Sequence, residues 1–134
     1  MIMRFMLDTN IVSDLVRHPR GSIAKRIAEV GEARICTSII VASELRCAAA
    51  RKASPALAAQ LESVLRAIEV VPFESPADVV YGALRARLQE IGQPIGANDL
   101  FVAAHALALR CTLVTASERE FSRIRALSVE NWLR

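Results

Sequence analysis

Apolar and polar positions come in blocks along this chain of 134 residues, and the blocks change period from one to the next. Ile2 to Leu7 is an apolar run ended by Asp8-Thr9-Asn10, the pattern of a buried strand delivering its last residue into a turn. Ile11 to Val16 then reads as a short helix, stopped by His18-Pro19 and Gly21. From Ser22, the residues Ile23, Ile27 and Val30 recur at helical spacing, and Gly31 supplies a stop before the strand-like Ala33 to Cys36. Thr37 or Ser38 can cap a third helix, whose Ile40, Val41, Leu45 and Ala48 form an apolar face with Glu44 in its middle.

Ser54-Pro55 predicts another helix start, followed by Leu57, Leu61, Val64, Leu65 and Ile68 on one side. Glu69 to Phe73 is a β-branched stretch that predicts a strand, and Ser75-Pro76 opens a helix over Ala77 to Ile91 ended by Gly92. The loop Gln93 to Gly96 leads through Ala97-Asn98-Asp99 into an apolar helix, Leu100 to Leu109, and then a strand at Thr112 to Thr115. Strands alternating with helices predict βαβ crossovers, hence an α/β fold with a mostly parallel sheet and helices on both faces. No repeat or linker interrupts the pattern, so residues 1–134 are expected to form a single domain with one aliphatic core, consistent with 53% apolar and only 4% aromatic residues.

No run is long enough to cross a bilayer, and the N-terminal run is too short for a signal peptide. Cys36, Cys47 and Cys111 are odd in number, lack C-x-x-C spacing and lie in apolar stretches, so they are expected to be buried free thiols in a reducing cytoplasm. Net charge is +3, carried by arginine far more than by lysine. The planar guanidinium suits phosphate, a weak pointer toward nucleic acid that an ordinary solvated surface explains as well.

The chemistry lies in the carboxylates. Asp8 and Asp99, two of only four aspartates, stand where an apolar element ends or begins. Helix capping is the ordinary explanation of each taken singly. Asp99, however, heads a face made of Val102, Ala103 and Ala106, and Glu44 is surrounded at helical spacing by Ile40, Val41, Cys47 and Ala48. An inward-facing carboxylate needs a partner, which for Glu44 is either an arginine such as Arg46 or Arg4, or a cation shared with the aspartates. Converging carboxylates repel unless Mg²⁺ or Mn²⁺ neutralises them, and these hard ions prefer oxygen ligands. His18 and His105 lack the spacing of zinc ligands; His105 reads as a packing residue and His18 as a surface turn residue.

The motifs L-D-T-N at residues 7 to 10, S-E-L at 43 to 45, P-I-G-A-N-D at 94 to 99 and L-V-T at 113 to 115 resemble those of PIN-domain proteins. With A-A-H-A at 103 to 106 and E-F-S-R at 120 to 123, the chain is similar over nearly its whole length to the VapC toxins of VapBC toxin–antitoxin systems. The resemblance implies a PIN-like α/β/α sandwich, a cytoplasmic homodimer, a small VapB-like antitoxin as inhibitor, and a Mg²⁺- or Mn²⁺-dependent endoribonuclease that cleaves RNA by metal-activated water. Asp8, Glu44 and Asp99 occupy the family's acidic positions, and Thr9, Asn10 and Thr115 fall where it places polar support. Two residues beyond that threonine the family commonly has Asn or Asp, whereas this chain has Ser117.

Glu120 stands in the place of a frequent Asp or Glu, where it reaches a metal directly or through water, orients Arg119, or caps a short last helix. Arg46, Arg51, Lys52, Arg85 and Arg87 are candidates to hold flanking phosphates, although exposed arginines at helical spacing usually form a solvated face. The competing expectation is a PIN-like module, weakened at Ser117, that binds RNA or antitoxin without turnover. A small-molecule phosphatase fits less well, because no pair of aspartates spaced two apart is present.

Overall fold

A computed structural model describes residues 3–134. Five parallel strands run in the order β3-β2-β1-β4-β5, with β1 at Phe5–Leu7, β2 at Ile35–Ser38, β3 at Glu69–Val71, β4 at Thr112–Val114 and β5 at Val129–Glu130. Parallel neighbours need crossovers, which helices supply. Helices α1 (Thr9–Arg17) and α2 (Ser22–Val30) join β1 to β2, while α3 (Ile39–Lys52) and α4 (Pro55–Ala67) join β2 to β3. Helices α5 (Ala77–Glu90) and α6 (Ala97–Ala108) return the chain to β4, and the four-residue α7 (Glu118–Phe121) precedes β5.

Every residue of β1, β2 and β4 is buried, odd and even positions alike, so both faces of the central sheet are covered. That explains why these strands read as unbroken apolar runs rather than as alternation. Met6, Leu7, Val12, Val41, Val102 and Leu113 are fully buried at the centre of the core.

The expected elements are present with shifted ends. The first strand begins at Phe5 instead of Ile2, and Ile2 itself lies outside the described residues. Ala33 and Arg34 belong to a 3₁₀ turn, so β2 starts at Ile35. The buried face of α3 is Val41, Ala42, Leu45 and Ala49, with the predicted Ile40 and Ala48 at its half-buried margin. Cys36 and Cys111 are buried, but Cys47 is exposed, which corrects its expected burial: it falls on the solvent side of α3. Strand β5 has no counterpart among the expected elements, since two half-buried residues carry no periodicity to read.

The chain runs outward from β1 through β2 to β3, then returns to lay β4 on the other side of β1. The strand order therefore reverses between β1 and β4, and a crevice opens there beyond their carboxyl ends. Asp8 follows β1 directly and Thr115 follows β4 directly.

Candidate active site

Leu7 and Val114 are register partners, and the Asp8 amide donates to the Val114 carbonyl at 2.9 Å, so the two chain ends leave the sheet side by side. Asp8 turns its side chain inward and is 3% exposed. One carboxylate oxygen accepts from the Thr9 amide at 2.8 Å, the N-cap contact of α1, and the other accepts from the Thr115 hydroxyl at 2.7 Å. Capping thus occupies one oxygen of Asp8 without accounting for the other. Burial raises the carboxyl above its ordinary range, the bonds from Thr115 and Thr9 pull it back down, and the charge of Glu120 pushes it up again.

Asp99 lies inside the first turn of α6, whose N-cap is Gly96 with no side-chain contact, so Asp99 is no cap. The face it heads is buried as expected, with Val102, Ala103 and Ala106 at 0% exposure. Its carboxyl is pushed up to about 7, first by burial, then by the charges of Glu120 and Asp8, by hydrogen bonding to Glu120, and by the charge of Glu44. Asp99 on α6 therefore feels three other carboxylates, Asp8 just after β1, Glu44 on α3 and Glu120 on α7.

The arginines that offered Glu44 an ordinary partner are engaged elsewhere. Arg46 forms a two-pronged pair with Glu62, at 2.9 Å on both prongs, and Arg4 pairs with Glu69. Glu44 instead accepts from the Thr9 hydroxyl at 3.4 Å. Among the described residues, no Lys or Arg forms an ion pair with Asp8, Glu44, Asp99 or Glu120.

A chain of hydrogen bonds fills the fourth corner. Asn10 accepts from the Ala116 amide at 3.1 Å and donates to the Ser117 hydroxyl at 3.3 Å, and the Ser117 amide donates to Thr115 Oγ1 at 3.0 Å. Thr9, Asn10, Thr115 and Ser117 thus form one support running back to Asp8. Glu120 accepts from the Gly96 amide at 3.3 Å, which ties α7 to the loop before α6.

The role of Gly96 has no mark in the sequence, because a backbone amide leaves no residue-type signal. A second tie is legible there only as two separate roles. Ser38 caps α3 by accepting from Ile40, and it also meets His105 Nδ1 at 2.8 Å, joining α3 to the buried face of α6. His105 packs edge-on against Phe73 and is buried, as a packing histidine should be.

The donor set fits a hard divalent cation: it is all oxygen and anionic, and among the described residues no Lys or Arg is ion-paired with it. Among the described residues no three His, Cys, Asp or Glu side chains are drawn up into a coordination shell. Asp99 is raised first by burial and after that by the charges of its carboxylate neighbours.

A family model described as "PIN domain" matches residues 5–127. The chain belongs to the PIN-domain family. Within that family it is 36% identical over 132 residues to "Ribonuclease VapC2" of Rickettsia felis, a match covering 97% of this chain and 98% of the relative. It is 30% identical to "tRNA(fMet)-specific endonuclease VapC" of Shigella flexneri, with 98% and 99% covered. Among solved structures, VapBC2 from Rickettsia felis bound to a DNA fragment from its promoter superposes with a TM-score of 0.89 at 33% identity, covering 97% of this chain and 99% of that one. The PIN fold expected from the motifs is therefore the fold observed. Its final residues, 128–134, lie beyond the span of the family model and contain β5.

Proposed function

We propose that this chain is the toxin of a type II toxin–antitoxin pair, an endoribonuclease whose Asp8, Glu44, Asp99 and Glu120 bind Mg²⁺ or Mn²⁺ against an RNA phosphate. The observation that carries the reading is that Asp8, Glu44 and Glu120 all act on Asp99 near the switch point between β1 and β4, while among the described residues no Lys or Arg is ion-paired with any of the four. The full-length likeness to ribonucleases supports RNA as the substrate.

When bound, the divalent ion supplies Lewis-acid chemistry: it lowers the pKa of water and offsets charge developing on the phosphoryl oxygens. The chain's own residues set the conditions for that. Thr115 and the Thr9 amide orient Asp8 and favour its charged form; Thr9 holds Glu44; the Gly96 amide holds Glu120 beside Asp99. No histidine pair serves as acid and base, since His105 is buried against Ser38 and Phe73 and His18 is exposed at the end of α1. The products expected are a 5′-phosphate and a 3′-hydroxyl.

Among the phosphate-binding residues expected from the sequence, Arg51, Lys52 and Arg87 are exposed, Arg85 donates from Nη1 to the Tyr81 hydroxyl at 3.2 Å, and Arg46 is taken up by Glu62. Arg46 therefore has the least capacity for RNA. Likeness to VapBC complexes supports a VapB-like antitoxin as partner, and the homodimer is carried over as what the family resemblance implies. Among the described residues no helix is long and apolar enough to cross a membrane, and three free thiols suit the reducing cytoplasm.

The test is cleavage by the purified chain, stripped of any antitoxin. Initiator tRNA is the first substrate to try, given the specificity named for the Shigella flexneri relative. Cutting should require Mg²⁺ or Mn²⁺, stop with chelator, and fall at least ~100-fold in Asp8→Asn, the scale on which loss of a preorganised electrostatic group acts. Equal cleavage by wild type and Asp8→Asn would defeat the proposal.

A further inference from the structure

An open cleft of about 670 Å³ lies between the end of α5 and the segment that follows α7. Its floor is apolar, with Leu88 and Ile124 buried and Ile91 47% exposed, and three exposed arginines line it: Arg87, Arg123 and Arg125. None of the three forms an ion pair with a carboxylate of the described residues, although Arg4, Arg26, Arg46 and Arg134 each find a glutamate. Arg87 sits in the last turn of α5, where a cation meets the negative end of the helix dipole. That accounts for one guanidinium of the three. Arg123 donates to the Pro94 carbonyl at 2.9 Å with Nη1, which fixes the arm and leaves the rest of its fork free.

The cleft is tied to the segment that holds Glu120: Arg123 bonds the Pro94 carbonyl, two residues before the Gly96 amide from which Glu120 accepts. Arg123 and Arg125 follow Glu120 by three and five residues, and Gln93 in the cleft wall precedes by three the Gly96 whose amide holds Glu120. A polyanion approaching four carboxylates is repelled wherever a metal does not shield it, so phosphates beyond the scissile one need fixed cations close by. An arginine rim beside Glu120 meets that need, and the guanidinium fork matches phosphate oxygens.

We infer that the Arg87–Arg123–Arg125 cleft is a subsite for the RNA backbone, holding phosphates that flank the scissile one on the α5 and α7 side. The inference rests on RNA being the substrate. With no aromatic side chain in the lining, the grip is on the backbone and tolerant of base identity.

Arg87→Gln/Arg125→Gln tests the subsite and spares Arg123, whose bond to Pro94 is structural. Binding of a fluorescein-labelled single-stranded RNA is followed by anisotropy in Ca²⁺, and cleavage of the same RNA and of an oligonucleotide only a few nucleotides long is followed in Mn²⁺. Affinity and KM for the long RNA should weaken about tenfold, and the slope of log affinity against log salt should fall by about 1.4, roughly 0.7 for each single-strand phosphate that is no longer neutralised. Turnover of the short oligonucleotide should fall far less than that of the long RNA, and the control Arg20→Gln/Arg66→Gln should match wild type on both.

An unchanged affinity and salt slope, or an equal loss on the short oligonucleotide, would overturn the subsite. So would polyglutamate that binds more tightly than RNA with the same dependence on Arg87 and Arg125, which would assign the cleft to an acidic protein segment. Arginine-dependent binding without cleavage by wild type would instead sink the catalytic reading and leave the subsite standing.

Discussion

Asp8 is held between opposing influences: burial favours the neutral acid, while the Thr115 hydroxyl and the Thr9 amide favour the carboxylate. Thr115→Val keeps the shape and removes one of those donors, leaving a buried oxygen unpaired. It should cost about 1–3 kcal/mol of stability, read as a shift in denaturant midpoint, and weaken Mn²⁺ binding about 10–100-fold, the usual scale for losing an orienting partner of a ligand. Asp99 was legible from its place at the head of an apolar face, and Asp8 from its place at the end of a strand. Each carries an ordinary explanation in the sequence. The structure removes it for Asp99, which caps nothing, and limits it for Asp8 to one oxygen of two. What the sequence could not show was the Gly96 amide on Glu120 or the route from Asn10 through Ser117 to Thr115, because such contacts depend on which loops meet in space.

Helices α3 and α6 carry Glu44 and Asp99, and the Ser38–His105 bond fastens the start of one to the buried face of the other. Ser38→Ala removes an N-cap and His105's partner together, so thermal unfolding should show a loss of about 1–3 kcal/mol. The Mn²⁺ concentration for half-maximal cleavage should rise as well in Ser38→Ala, since the bond joins the helices that carry Glu44 and Asp99; a shift in the unfolding temperature alone would contradict that role. Element identity was well marked in the sequence wherever a periodic apolar face met a cap, as at Ser38 and Ser54, both of which cap the following helix by accepting its amides. Ends were less legible. The 3₁₀ turn at Glu32–Arg34 and the two-residue β5 are fixed by what they pack against, and neither has a period of its own.

For the whole molecule, the carboxylate cluster makes stability depend on pH. The folded chain holds Asp99's proton up to about 7 against an ordinary value of 3.8, so its stabilising contribution is full below about 3.8 and is lost as pH rises through about 7. Asp8 is raised in the same direction. His105, lowered by burial from 6.5, works the opposite way as pH falls below that value. Between pH 6.5 and 7.5 the metal-free chain should therefore lose thermal stability as pH rises; Asp99→Asn should flatten that slope and be more stable than wild type at the upper end. Divalent metal should restore wild type there by mass action and leave Asp99→Asn nearly unmoved. The strand order that brings the carboxylates together was only half visible beforehand: alternating elements predicted a parallel sheet, while the reversal between β1 and β4 that opens the crevice is a property of the assembled fold. The most direct measurement is a calorimetric titration of Mn²⁺ into the chain at pH 8, in wild type, Asp8→Asn and Asp99→Asn. One shared centre predicts saturable binding in wild type that weakens at least ~10-fold in each variant; heats indifferent to both substitutions would contradict it.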